Sequence, residues 1–520
     1  MRKFFAVLMI AIFLISISLT AVFAQGNQSE VNEVLEQDEE IRDLQASQSI
    51  KVDYLSQDAL RQKMIEDIDS NTPEEIMDTQ NIYILLGFIP EDSDLRQLYI
   101  NLLTGAVAGL YDPEDKSLFL ISEEKNTMSV MDRFYLSHEL IHYLQDQNFN
   151  LYRPPFADPE GSITETDDDA AMAASALVEG DAQIAQISWM IEELNASENL
   201  ELQAELGNQS TDVLKSTPAY LVDSLMFQYE EGQTFVQYLK RKGGYDAVDK
   251  AYANPPVSTE QIYHPEKYTA NEAPVSITMD DASAKLGEGW ALAYDNVLGE
   301  FDVYELFKPY FSDAKAETAA AGWGGNNYHY YRSDSGEKLL VQDYAWDSDK
   351  DAQEFASAYI NLLDVRFKGD ISGETPVGAW QTWSAGGYQL GIKKDGLNTY
   401  LIQSTAEEPF TTMIESLGET GDQIDRQAID GDDVSGAQGD EQNYKWLVIA
   451  GVIGLLALGI VLLIVMLILL RKPPAPPSQQ GGPYGYGGGS PGQWGSTPWQ
   501  GGYVPPPPPP GGMPPTSPPA

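Results

Sequence analysis

Two of the four histidines in this chain of 520 residues, His138 and His142, stand four positions apart in "SHELIHYLQDQNF". On an α-helix that spacing puts both on one face, about 6 Å apart. Two imidazoles so placed can each turn a ring nitrogen to one Zn²⁺ at about 2.0–2.1 Å. Glu139 sits one step round the helix, within reach of a water held by that metal, and can take its proton and later return it. A catalytic metal needs a third protein ligand and one open position. His264 and His329 fall in loop-like or aromatic surroundings, so a glutamate is the better third ligand. Glu179 in "ALVEGDA" is the first choice and Glu231 in "YEEGQTF" the second. Gly180 strengthens the choice, because glycine inside a helix costs about 1 kcal/mol and marks a close approach of another backbone. Asp181 or Gln183 can steady a ligand from behind.

The elements that must hold these groups are legible in part. Residues 129–149 form a helix that is apolar on most of its circumference and therefore buried. Histidines inside such a helix need partners, because an unsatisfied buried polar group is costly. Ahead of it, "VAGLYDPEDKSLFLIS" reads as a β-hairpin turning at its Pro- and Asp-containing centre. Behind it, Asp167, Asp168 and Asp169 open the alanine-rich helix that carries Glu179; helix capping explains them better than calcium. "AKLGEGWALAYDNVLGEFDVYELFKPYF" reads as helix. From about Gly322, strand-like runs alternate with helices.

The expected organisation is a signal peptide (1–24), a polar, loosely packed helical lead-in (25–80) and a mostly helical domain with a small sheet (81–321). A smaller α+β domain (322–417) and an acidic stalk (418–445) follow. The uncharged run Trp446–Leu470 is long enough to span a bilayer, and Arg471 and Lys472 after it place the C-terminus inside. The tail 471–520 is rich in Pro and Gly and reads as disordered, able to meet a proline-recognising cytoplasmic partner. The fold class is thus α+β, and the expected location is the cell membrane, single-pass, with the N-terminal domain outside. A formal charge of −48 argues against nucleic acid as a partner. The absence of cysteine excludes thiol catalysis and disulfides. With 42% hydrophobic residues, 28 Tyr and 9 Trp, the chain has ample material for real cores.

"HELIH" followed by the "EGDA" helix resembles the gluzincins, zinc metallopeptidases whose third ligand is a glutamate. A closer likeness is to exported bacterial proteins that also carry a "YDP" hairpin and "STEQ…HPEKY", over roughly residues 80–270. The resemblance implies a zincin-like domain acting on a peptide or protein substrate, with an active-site helix beneath a sheet whose edge strand aligns that substrate. Ser117–Ile121 is the expected edge. It also implies a His or Tyr that stabilises the tetrahedral oxyanion, with His264, Tyr263 and Tyr268 as candidates. The expected activity is hydrolysis of peptide bonds by the Glu139-activated water. A non-catalytic, metal-stabilised binding or envelope-assembly protein is the alternative, and a surface protein without metal stands behind both.

Overall fold

The computed structural model describes residues 28–69, 72–106, 109–114, 116–121, 128–157, 167–208 and 212–429. The expected signal peptide, the run Trp446–Leu470 and the tail after it lie outside these residues. No helix among the described residues is long and apolar enough to cross a membrane.

Two sheets organise the described residues. The first has three strands, β1 (Lys51–Leu55), β2 (Gly109–Asp112) and β3 (Ser117–Ile121), in the order β1-β3-β2. β2 and β3 form the expected antiparallel hairpin, and β1 runs parallel to β3 on its other side. The second sheet has seven strands: β4 (Trp290–Asn296), β5 (Trp323–Ser333), β6 (Lys338–Trp346), β7 (Thr375–Val377), β8 (Trp380–Ala385), β9 (Tyr388–Asp395) and β10 (Asn398–Ser404). Their order is β4-β5-β6-β10-β9-β8-β7, and every pairing is antiparallel.

This arrangement corrects the expected architecture of two successive domains, the first mostly helical and the second a smaller α+β unit. One continuous apolar core takes in Met64 and Leu103 near the start, Leu177 and Phe235 in the central helices, Tyr330 and Leu401 in the large sheet, and Ile424 and Ile429 at the end. The boundary placed at 321/322 cuts through the seven-stranded sheet, because β4 lies before it. Trp290–Asn296, read as helix, is a strand with a register shift between Leu292 and Tyr294. The domain also runs past Leu417: Ile424 and Ile429 pack into the core, so the first part of the expected stalk is folded.

The lead-in is likewise part of the fold. The helix Gln28–Arg42 buries Val31 and Val34 beside Leu136 and Leu140. Its Asp38 accepts a hydrogen bond from Ser137 Oγ at 2.8 Å. Arg42, fully buried, meets Asp181 at 2.8 Å and Asp249 at 2.6 Å. A long side chain from the first described helix thus enters the middle of the molecule. Its charge is matched there, as burial of a guanidinium requires.

Candidate metal centre

The histidine helix, Val130–Phe149, starts at a capping box. Ser129 Oγ accepts from the Asp132 N–H, and the Asp132 carboxylate accepts from the Ser129 N–H. Asn150 ends it in the left-handed region at φ 56°. Leu136, Leu140, Ile141 and Leu144 are fully buried, as the periodicity predicts, and His142 is buried among them. The glutamate helix, Asp168–Glu193, begins with Asp167 Oδ1 accepting from the Ala170 N–H at 3.0 Å. The Asp169 carboxylate accepts from Thr259 N–H and Oγ1 at 3.0 and 2.6 Å. The aspartates therefore cap and tether.

The third element, the cover helix Ala219–Gly243, crosses the glutamate helix backbone to backbone. A Cβ added at Gly180 would stand 2.2 Å from the Gly232 carbonyl, and one at Gly232 would stand 2.2 Å from the Ala176 oxygen. No other residue fits at either position. The close approach read from Gly180 is present, and its partner is a second glycine that also follows a glutamate.

These elements bring His138, His142 and Glu179 together, with one ligand atom from each within 4.8 Å of the others. The two Nε2 atoms are 3.1 Å apart. Glu179 Oε2 is 3.2 Å from His138 Nε2, and Oε1 is 3.5 Å from His142 Nε2. Glu179 is fully buried, yet neither of its oxygens accepts a well-formed hydrogen bond. A buried carboxylate held only by long contacts to two imidazoles is costly, and a cation at the point where the three groups meet would satisfy it.

The tautomer of His142 follows from its neighbours. Gln145 Nε2 donates to Val178 O and to Asp181 Oδ2, each at 3.0 Å. Its Oε1, 2.9 Å from His142 Nδ1, must then accept. Nδ1 of the neutral ring therefore carries the proton, and Nε2 presents its lone pair to the cluster. Asp181 is fixed in turn by Arg42 Nε at 2.8 Å and by the Tyr252 hydroxyl at 2.9 Å. Of the two supports expected, Asp181 is in this chain, and Gln183 has its Oε1 buried without a partner.

With no cation between them, the ligands titrate each other. Burial works to raise the Glu179 carboxyl, but the facing imidazoles, His142 foremost, outweigh it and draw it down to about 2. Burial works to lower His142, but the charge of Glu179 wins and lifts it to about 9. Glu139 is almost fully buried, and its Oε2 accepts from the Tyr111 N–H of β2 at 2.9 Å. Burial raises its carboxyl against the pull of His138 and His142, which moves the group towards the range where a general base works. Tyr229 of the cover helix faces the same carboxylates. Burial, then the charges of Glu179 and Glu139, push its hydroxyl well up. Its ring centroid lies 6.3 Å from that of His138.

The remaining sequence candidates lie elsewhere. His264 Nε2 is 3.1 Å from Glu300 Oε1, and Tyr263 packs edge-to-face on Phe227 at 5.2 Å. Tyr268 donates its hydroxyl to Asn254 O at 2.8 Å. Glu231 lines the cavity that holds His264. None of the four is among the groups that meet His138, His142 and Glu179. Ser117–Ile121 is not an edge: β3 is the central strand, flanked by β1 and β2. A second acidic grouping, Glu260, Glu272 and Asp347, closes on the Lys267 ammonium at 2.7, 2.8 and 2.6 Å, so a side chain fills it.

Residues 290–408 match a domain family of unknown function, DUF8575. The match spans β4 to β10 and leaves out the histidine cluster. No curated protein and no solved structure matches the chain.

Three contributors were not read from the sequence. Gln145 carried a signal, since it follows His142 by three positions and shares its face in a buried helix. Tyr229 and Arg42 carried none, because only tertiary packing brings them to the cluster.

Proposed function

We propose that this chain is a zinc-dependent peptidase in which His138, His142 and Glu179 hold the metal and Glu139 is the general base. One observation carries the reading: two imidazole nitrogens and a fully buried carboxylate converge on one point, with a second, raised carboxylate beside them. A purely structural site has no use for such a base. Zinc in this position supplies Lewis-acid activation of a water and of a substrate carbonyl. The chain's own groups do the rest. Gln145 engages His142 Nδ1–H, so that Nε2 is the nitrogen turned to the cluster. Arg42 and Tyr252 hold Asp181, which holds Gln145. The Tyr111 N–H fixes Glu139 Oε2, so the carboxylate that takes and returns the proton does not swing away. The peptide as substrate rests on the gluzincin resemblance.

The test uses the purified protein, with metal measured by elemental analysis and turnover on a peptide library. The expected result is about one zinc per chain, and a Glu139→Gln variant that keeps its zinc and loses about 10²–10⁴-fold in rate. Cleavage by Glu139→Gln at the parental rate, or full zinc content in His138→Ala, overturns the assignment.

A further inference from the structure

On the side of the cover helix that bears Asp223, Phe227 and Glu230 lies a cavity of about 460 Å³, within the usual size of small-molecule sites. None of His138, Glu139, His142, Glu179 or Tyr229 lines it. Six carboxylates do: Asp223, Glu230, Glu231, Glu300, Glu305 and Glu317. Two basic groups face them, Lys308 and His264, and both are engaged. Lys308 Nζ bridges Asp223 and Glu305 at 2.7 and 2.6 Å, and His264 reaches Glu300 Oε1 at 3.1 Å.

The decisive atom is the other oxygen of Glu300. The residue is only 5% exposed, it lines the cavity, and its Oε2 is buried without a hydrogen-bond partner. Such an atom carries a desolvation penalty, which is relieved once the Glu300 carboxylate turns to meet a donor in the cavity. Burial pushes the carboxyls of Glu300, Glu230 and Glu231 up, which is the cost of holding excess negative charge in a partly dry space. The rest of the wall is apolar and aromatic. Phe227 meets Tyr263 at 5.2 Å and Phe301 at 5.0 Å, and Tyr304 and Met226 continue the surface. Aromatic faces beside carboxylates favour a cation on a hydrocarbon stem. A bare metal ion fits poorly, because among the described residues no three metal-ligating atoms converge here.

We propose that this cavity binds a small organic cation, an amine or guanidinium on an apolar stem, with Glu300 Oε2 accepting its N–H and the rings of Phe227, Tyr263 and Tyr304 covering the stem. The site is separate from the metal cluster and does not depend on the peptidase reading.

The test is calorimetric titration of the purified full-length protein with n-butylguanidinium and with its neutral analogue n-butylurea. The guanidinium binds below about 1 mM and at least about tenfold more tightly than the urea, the difference one charge-assisted hydrogen bond makes. Glu300→Gln weakens the guanidinium about tenfold or more and leaves the urea unchanged. The paired change Glu230→Gln with Glu231→Gln, at positions less buried than Glu300, weakens it about threefold or more and serves if Glu300→Gln melts early. His138→Ala leaves the binding unchanged. No heat up to about 10 mM guanidinium, equal affinity for the urea, insensitivity to either carboxamide variant, or loss of binding in His138→Ala overturns the proposal.

Discussion

Replacing Gln145 by Met isolates the link between the fold and the metal cluster. The change keeps the length of the side chain and removes three hydrogen bonds: one to His142 Nδ1 and two, at 3.0 Å each, to Val178 O and Asp181 Oδ2. Asp181 keeps Arg42 and Tyr252, so the buried ion pair survives. One group is left without a partner, the His142 Nδ1–H, at about 1–3 kcal/mol, because the Val178 carbonyl lies inside the helix and keeps its backbone donor. That lowers the stability of the metal-free protein. The effect on metal is separate. Without an acceptor on Nδ1, the ring turns more freely, its proton can move to Nε2, and its basicity falls. The loss in zinc affinity is about 10–100-fold, or about 1.4–2.8 kcal/mol. The assay is competition for zinc against a chromogenic chelator, run on Gln145→Met and parent, with thermal melts of the metal-free proteins beside it. A variant that melts lower but binds zinc within about threefold of the parent refutes the chain of support from Arg42 through Asp181 and Gln145 to His142.

Other outcomes follow from the same geometry. Gly180→Ala forces a methyl to within 2.2 Å of the Gly232 backbone; it lowers stability by about 1–3 kcal/mol or more in a denaturant titration, and an unchanged midpoint refutes the close crossing. Arg42→Met leaves Asp181 buried without its cation, a cost of about 3–5 kcal/mol measured the same way. In the metal-free protein His142 is raised from 6.5 to about 9, so the stability its proton contributes is full below 6.5 and fades as the pH rises through about 9. Zinc must displace that proton. Its apparent affinity therefore climbs about tenfold per pH unit between those values and then levels, and a flat profile over that range refutes the raised imidazole.

The residues of the cluster were the most legible part of the chain, because each signal there is local. A four-residue spacing fixes two rings on one helix face, and a glycine after Glu179 announces a helix crossing. Trp290–Asn296 was missed although Trp290, Leu292 and Tyr294 alternate, because alanines between them and apolar helices on both sides imitate a helical period. The central place of β3 was hidden for another reason. Its second neighbour, β1, lies more than sixty residues upstream, and no local pattern records a parallel pairing at that distance. Arg42 is the extreme case, a residue in a polar-looking helix whose partners, Asp181 and Asp249, lie far along the chain.

Where the Gly180 and Gly232 backbones touch, no layer of side chains separates the two helices to yield under thermal motion. Such a crossing is a fulcrum. Rocking of either rod grows with distance from it, and Glu179, adjacent to the pivot, travels least. A donor set built there would gain its stiffness from missing atoms.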